Sequence, residues 1–142
     1  MTDDKADAAA AWREERRAAA AAHGELLAGR QRAESAQAQE QIDAFLRRAL
    51  KFGPAPVALS ARSYDGRARY KTPLTGWYLR RDETVAVDTD GKFYVLTTPS
   101  SLAARFRGVT PEPSAPPLVI GAGGKDGESL DMSEALARVL AR

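Results

Sequence analysis

The chain contains no cysteine and only one histidine, His23. The first absence excludes disulfides, thiolate metal sites, thiol nucleophiles and cysteine-held iron–sulfur clusters. The second leaves a hydrolase-type triad no base except one residue in an alanine-rich stretch, far from any cluster of partners. No run of about 18 apolar residues occurs, so no membrane-spanning helix is expected. The opening M-T-D-D-K-A-D is acidic and lacks the apolar centre of a signal peptide. These absences predict a soluble, cytoplasmic chain with no membrane partner, no bound metal and no cofactor.

Proline is absent before Pro54, and large apolar side chains are sparse over the first 40 residues. Alanine inflates the 44% hydrophobic content there while burying little surface. The core must therefore come from later residues, and 142 residues suffice for one compact domain with an appendage. Residues 1–52, rich in Ala, Glu, Arg and Gln, read as a helical arm frayed in its first part. Gly24 and Gly29 bracket Leu26 and Leu27, which predicts a break or bend and two helical pieces. The second piece carries an apolar stripe at Ile42, Phe45, Leu46, Ala49 and Leu50. The first offers Trp12, Ala19, Leu26 and Ala33 at seven-residue spacing, a seam too poor in large residues to specify a coiled coil by itself. Glu14 with Arg17, and Asp43 with Arg47, stand at ion-pair spacing.

Gly53-Pro54-Ala55-Pro56 ends the arm, because proline lacks an amide proton and pushes its predecessor out of the α region. Residues 53–142 read as a small α+β domain. Five short strands are expected as an antiparallel meander: Pro56 to Ala61, Arg67 to Lys71, Gly76 to Arg81, Thr84 to Asp88 and Phe93 to Thr97. Asp65-Gly66 suits a two-residue type I′ turn placing Tyr64 opposite Arg67, Arg62 opposite Arg69, and Ser60 opposite Lys71. A two-residue turn at Asp90-Gly91 sets Val87 opposite Tyr94, Val85 opposite Leu96 and Ala86 opposite Val95. Both faces of that second hairpin are apolar, so both need cover. The stripe on Ile42 to Leu50 and a C-terminal helix are the available covers.

Ser101 reads as the start of a short helix ending at Gly108, and 110–117 as a stiff proline-rich connector. Leu118 to Ile120 follows as a strand, and Gly121 to Ser129 as a glycine-rich loop. Asp131 and Glu134 have the spacing of a capping box opening a final helix with Leu136, Val139 and Leu140 on one face. The glycine-rich loop does not fit a phosphate loop: Asp126 follows Lys125 where a hydroxyl residue is required, and the first glycine is misplaced. Asp82, Glu83, Asp88 and Asp90 read as turn and surface carboxylates rather than as a calcium or acid–base pair.

One stretch concentrates charge. Between Ser60 and Arg81, Arg62, Arg67, Arg69, Lys71, Arg80 and Arg81 face a single acid, Asp65, although the whole chain carries a formal charge of only +2. Opposed cations across two strands are unfavourable unless solvent, a carboxylate or a bound polyanion relieves them. Nucleic acid would do so, with Tyr64 or Tyr78 stacking on a base. A solvated, charged edge that resists aggregation explains the same residues without a ligand. Trp77 and Tyr78, adjacent on a strand, point to opposite faces.

The leading expectation is a small non-enzymatic adaptor that binds a protein partner, or a second copy of itself, through Trp12, Leu26 and Leu27 of the arm and through a sheet face. The alternative is a nucleic-acid-binding module using Arg62, Tyr64, Arg67, Arg69, Lys71, Tyr78, Arg80 and Arg81. An enzyme without a recognisable catalytic constellation ranks third.

Overall fold

A computed structural model describes residues 2–121 and 129–142. The comparison of Lys125 and Asp126 with a phosphate loop lies outside the described residues. The fold class is α+β, as expected. A long helix, α1 (Thr2–Phe52), precedes strands β1 (Val57–Ser63), β2 (Arg69–Tyr78), β3 (Val85–Asp88), β4 (Phe93–Val95) and β5 (Thr97–Thr98). Helix α2 (Leu102–Arg107), the strand pair β6 (Val119–Ile120) and β7 (Leu130–Asp131), and helix α3 (Met132–Leu140) complete the chain. Contacts group residues 1–34 as one unit and 35–142 as another, so the last turns of α1 belong to the same unit as the sheet.

The break expected at Gly24 and Gly29 does not occur, since α1 is a single helix through both. A helical glycine costs only about 1 kcal/mol relative to alanine, and the flanking Ala, Glu, Leu and Arg outweigh it. The helix stops where proline chemistry said it would. Gly53 adopts φ 84°, and its amide donates to the Ala49 carbonyl at 2.8 Å. The apolar stripe is shifted toward the N-terminus from its expected place. Ala38, Ile42, Phe45 and Ala49 are buried, whereas Leu50 is 58% exposed.

The strand order is β4-β3-β2-β1-β5. The first four strands form the expected antiparallel meander, but β5 lies parallel to β1, so the sheet is mixed. The expected strands at Arg67 to Lys71 and Gly76 to Arg81 are one strand, β2. The T-P-L segment between them is absorbed as an irregularity opposite Leu59. There the Thr72 hydroxyl donates to the Leu59 carbonyl at 2.6 Å and accepts from the Leu74 amide at 3.1 Å, which supplies pairing that Pro73 cannot.

Each hairpin corrects the expected turn. At the first, Ser63 and Ala68 close a four-residue loop, with the Gly66 amide bonded to the Ser63 carbonyl at 2.9 Å. Only Gly66 has positive φ in that loop, so it is not the type I′ turn expected at Asp65-Gly66. The strand register survives, Ser60 with Lys71 and Arg62 with Arg69, because two- and four-residue loops about one centre give the same pairing. At the second, the Asp88 amide donates to the Lys92 carbonyl at 2.9 Å and closes a three-residue loop with Gly91 at φ 82°. That odd count shifts the register by one from the expected pairs, to Val85 with Val95, Ala86 with Tyr94 and Val87 with Phe93.

Two cores result, one on each face. On the first face Trp77, Leu79, Val85, Val87 and Phe93 pack with Ile42, Phe45 and Ala49 of α1, Ile120 of β6, and Met132, Ala135, Leu136 and Val139 of α3. Phe45 meets Trp77 edge to face with centroids 5.2 Å apart, and the indole nitrogen donates to the Pro54 carbonyl at 2.8 Å. Both expected covers therefore share one face. The second face, with Leu59, Ala86, Tyr94 and Leu96, is closed by the sheet itself. Leu96 is the single residue between β4 and β5. Its amide donates to the Thr84 carbonyl at 2.7 Å, and its carbonyl accepts from the Arg62 amide at 2.7 Å. One residue thus stitches the β3–β4 side of the sheet to the β1 side around the second core, leaving fewer unpaired strand groups.

At the C-terminal end, α3 forms as expected, but the Asp131 side chain makes no capping bond. The Met132 amide, another of the unpaired first-turn donors, is satisfied by the Leu118 carbonyl at 2.8 Å, next to β6.

Candidate functional site

Sheet closure decides what the basic hairpin can do. Arg62 and Arg69 stand directly opposite each other on β1 and β2. Glu83, in the turn before β3, places one carboxylate oxygen 3.2 Å from the Arg62 guanidinium and 3.1 Å from that of Arg69. Leu96 bonds Thr84 on one side and Arg62 on the other, which brings Glu83 to a pair distant in sequence. The repulsion between opposed cations is relieved from within the protein by a carboxylate that sequence reading assigned to the surface. Glu83 adopts φ 60°, an uncommon conformation for a residue with a side chain, in a turn where its amide donates to the Arg80 carbonyl at 3.1 Å.

The remaining expected contact residues separate into three places. Tyr78 is half-buried against the second core, and its hydroxyl accepts from the Ser60 amide at 2.8 Å. Arg80 lies 3.7 Å from an Asp82 carboxylate oxygen, and with Arg81 it lines a concavity shared with Glu134, Arg138 and Arg142. Arg138 in turn pairs with Glu134 at 2.8 Å. Tyr64, Arg67 and Lys71 remain at or near the tip of the first hairpin, all exposed. Hydrogen bonds to one carboxylate tie the tip together. Asp65 accepts from the Ser63 hydroxyl and from the Arg67 amide at 3.0 Å, bonds that hold its carboxyl below the usual carboxylate pKa, the Ser63 bond contributing most.

Helix α2 adds residues that the sequence reading did not include in the site. Ser101 caps it, its hydroxyl accepting from the Ala104 amide at 3.2 Å. The helix is tied to β2 at both ends. The Ser101 amide donates to the Tyr70 hydroxyl at 3.0 Å, and the Val109 amide to the Lys71 carbonyl at 2.8 Å. Gly108 is forced there, because a Cβ would sit 2.6 Å from the Lys71 carbonyl oxygen. Ala104 is the buried residue of α2; Leu102, Arg105, Phe106 and Arg107 are exposed, with Phe106 at 88%. The run Arg105-Phe106-Arg107 was the available signal, a ring between two cations, but a six-residue helix shows no periodicity long enough to tell an outward Phe from a core one.

The arm residues hold no core position. Trp12, Leu26 and Leu27 are 57%, 62% and 46% exposed, and no residue from 3 to 34 is buried. Arg16 lies over the Trp12 ring at 4.8 Å, and Glu14 pairs with Arg17 at 3.6 Å as its spacing predicts. Asp43 accepts instead from Gln39, at 2.9 Å, while Gln39 also donates to the Gly91 carbonyl.

Among the described residues, no helix is long and apolar enough to cross a membrane, and no group of three or more His, Asp or Glu side chains is placed to hold a metal ion. No family model, no curated protein and no solved structure matches the chain.

Proposed function

We propose that this is a non-enzymatic, cytoplasmic interaction protein whose N-terminal helix docks on a protein partner or on a second copy of the chain. The observation that carries the reading is the exposure of Trp12, Leu26 and Leu27 on a helix that continues through 33 residues without a core of its own. Trp12, Ala19, Leu26 and Ala33 share one side of it, since seven residues make nearly two turns. Small residues along that line allow close approach of another helix, and Trp12 and Leu26 supply apolar area to bury. The buried polar side chains Ser63 and Asp88 are already engaged in hairpin turns, Ser63 with Ala68 and Asp88 with Asp90, Lys92 and Tyr94, which fits a binding scaffold better than a reacting centre.

Sedimentation velocity across a wide concentration range, with and without residues 1–34, tests the reading, alongside the triple variant Trp12→Ala, Leu26→Ala, Leu27→Ala. Self-association or partner capture that both changes remove would support it. A full-length protein that stays monomeric, and whose partner capture neither change alters, would sink it.

A further inference from the structure

We infer that the tip of the first hairpin and helix α2 together form a binding face for single-stranded nucleic acid, separate from the docking role of the arm. Residues 64–71 and 98–109 meet through the bonds from Tyr64 to Thr98, Ser101 to Tyr70 and Val109 to Lys71. This junction collects Arg67, Lys71, Arg105 and Arg107 against Asp65, and among the described residues none of the four cations forms an ion pair. A surplus of uncompensated guanidinium and ammonium groups attracts a phosphate backbone. Two rings stand among them, Tyr64 at 73% and Phe106 at 88% exposure.

Exposed rings between cations are the two parts that non-sequence-specific single-strand binding needs, a stacking platform and a charged track. Rings stack on unpaired bases, whereas a duplex keeps its base faces inside, so single strands are the better match. A bilayer surface would also meet apolar and basic groups, but a six-residue α2 is short for the amphipathic helices that lie in an interface. Arg62 and Arg69 enter as a reserve. Glu83 holds both, and neutralising it frees two further cations on β1 and β2.

The test is fluorescence anisotropy of the full chain with labelled oligo(dT) of about 20 nucleotides and with a duplex of equal length, at low and near-physiological salt, beside sedimentation with phosphatidylserine vesicles. Oligo(dT) is expected to bind more tightly than duplex, with affinity falling as salt rises. Phe106→Ala is expected to weaken oligo(dT) binding about tenfold, since stacking one base is worth that order of effect. Its melting temperature should be unchanged, because the ring is exposed. Arg105→Glu with Arg107→Glu should weaken binding further and reduce the salt slope. Glu83→Gln should strengthen it several-fold by releasing Arg62 and Arg69. The inference is overturned by absence of oligo(dT) binding at low salt, by duplex binding as tightly as single strand, or by indifference to Phe106→Ala. Vesicle binding that depends on Phe106 without oligo(dT) binding would overturn it in favour of a lipid surface.

Discussion

Residues 2–34 and 35–52 belong to one α-helix, yet only the second part contributes to a core. Both parts are rich in strong helix formers, so helicity follows from local propensity in each. Burial follows from something else. From Ala38 onward, apolar residues recur at i, i+4, i+7 and i+11 through Ile42, Phe45 and Ala49, and the sheet presents Trp77, Val87 and Phe93 to meet them. Between Thr2 and Ser35 the large apolar residues are Trp12, Leu26 and Leu27, too few to anchor a helix against a surface of its own chain. The contrast shows that a helix can be fully specified by sequence while its role is left to whatever its side chains meet.

The contrast can be broken most sharply with glycine. A Cβ on Gly76 would lie 2.0 Å from the Val87 carbonyl oxygen, a backbone atom that cannot move aside. Gly76→Ala is therefore expected to cost about 4 kcal/mol or more, measured by urea denaturation. Gly24, with nothing within 4 Å of its would-be Cβ, should behave oppositely. Gly24→Ala is expected to raise local helix stability by about 1 kcal/mol, read as slower amide exchange over residues 20–28. Equal destabilisation by the two changes would erase the distinction between the regions.

A smaller effect separates the two halves by their large side chains. Phe45→Ala removes a ring packed edge to face on Trp77 and should cost about 3–4 kcal/mol. Leu26→Ala should leave global stability within about 0.5 kcal/mol, since Leu26 touches no core. Thermal or urea unfolding of both variants checks the pair.

The smallest effect concerns the second core. Tyr94 is buried, and its hydroxyl donates to an Asp88 carboxylate oxygen at 2.9 Å. Burial, with the Asp88 bond and charge adding to it, pushes its pKa up to about 12 from the ordinary 10. The folded state holds that proton longer than the unfolded chain does. Its contribution to stability is fully present below pH 10 and is lost as pH rises through about 12. Urea unfolding from pH 9 to 11.5 should show stability falling faster for the native chain than for Tyr94→Phe. Tyr94→Phe should itself cost about 1–3 kcal/mol near neutral pH by leaving the carboxylate oxygen without its donor. Parallel curves across that range would show that the Tyr94 proton is not linked to folding.

The basic hairpin illustrates how far a site can be read from a chain. Arg62 opposite Arg69 was legible, because loop parity fixes which residues face each other. Their neutralisation by Glu83 was not, because it depends on closure through Leu96, a contact between residues far apart in sequence. Tyr78 was placed on the right kind of element. That its hydroxyl serves the Ser60 amide follows only from the strand packing. Phe106 and its flanking arginines were visible as residues but not as a surface, since their exposure follows from Ala104 being the residue that α2 buries.

By itself the sequence determined the helix before Gly53, the α+β class, the turn positions, the absence of thiol chemistry and the places where charge accumulates. These rest on local forces: propensity, proline geometry, turn preferences and hydrophobic periodicity act over a few residues. Tertiary structure alone decided the one-residue register of the second hairpin, the parallel β5, the sharing of one sheet face by α1 and α3, and the clamp on Arg62 and Arg69. Those rest on loop length and on hydrogen bonds between distant segments. A one-residue difference there reverses which face a side chain presents without leaving any mark in the local pattern.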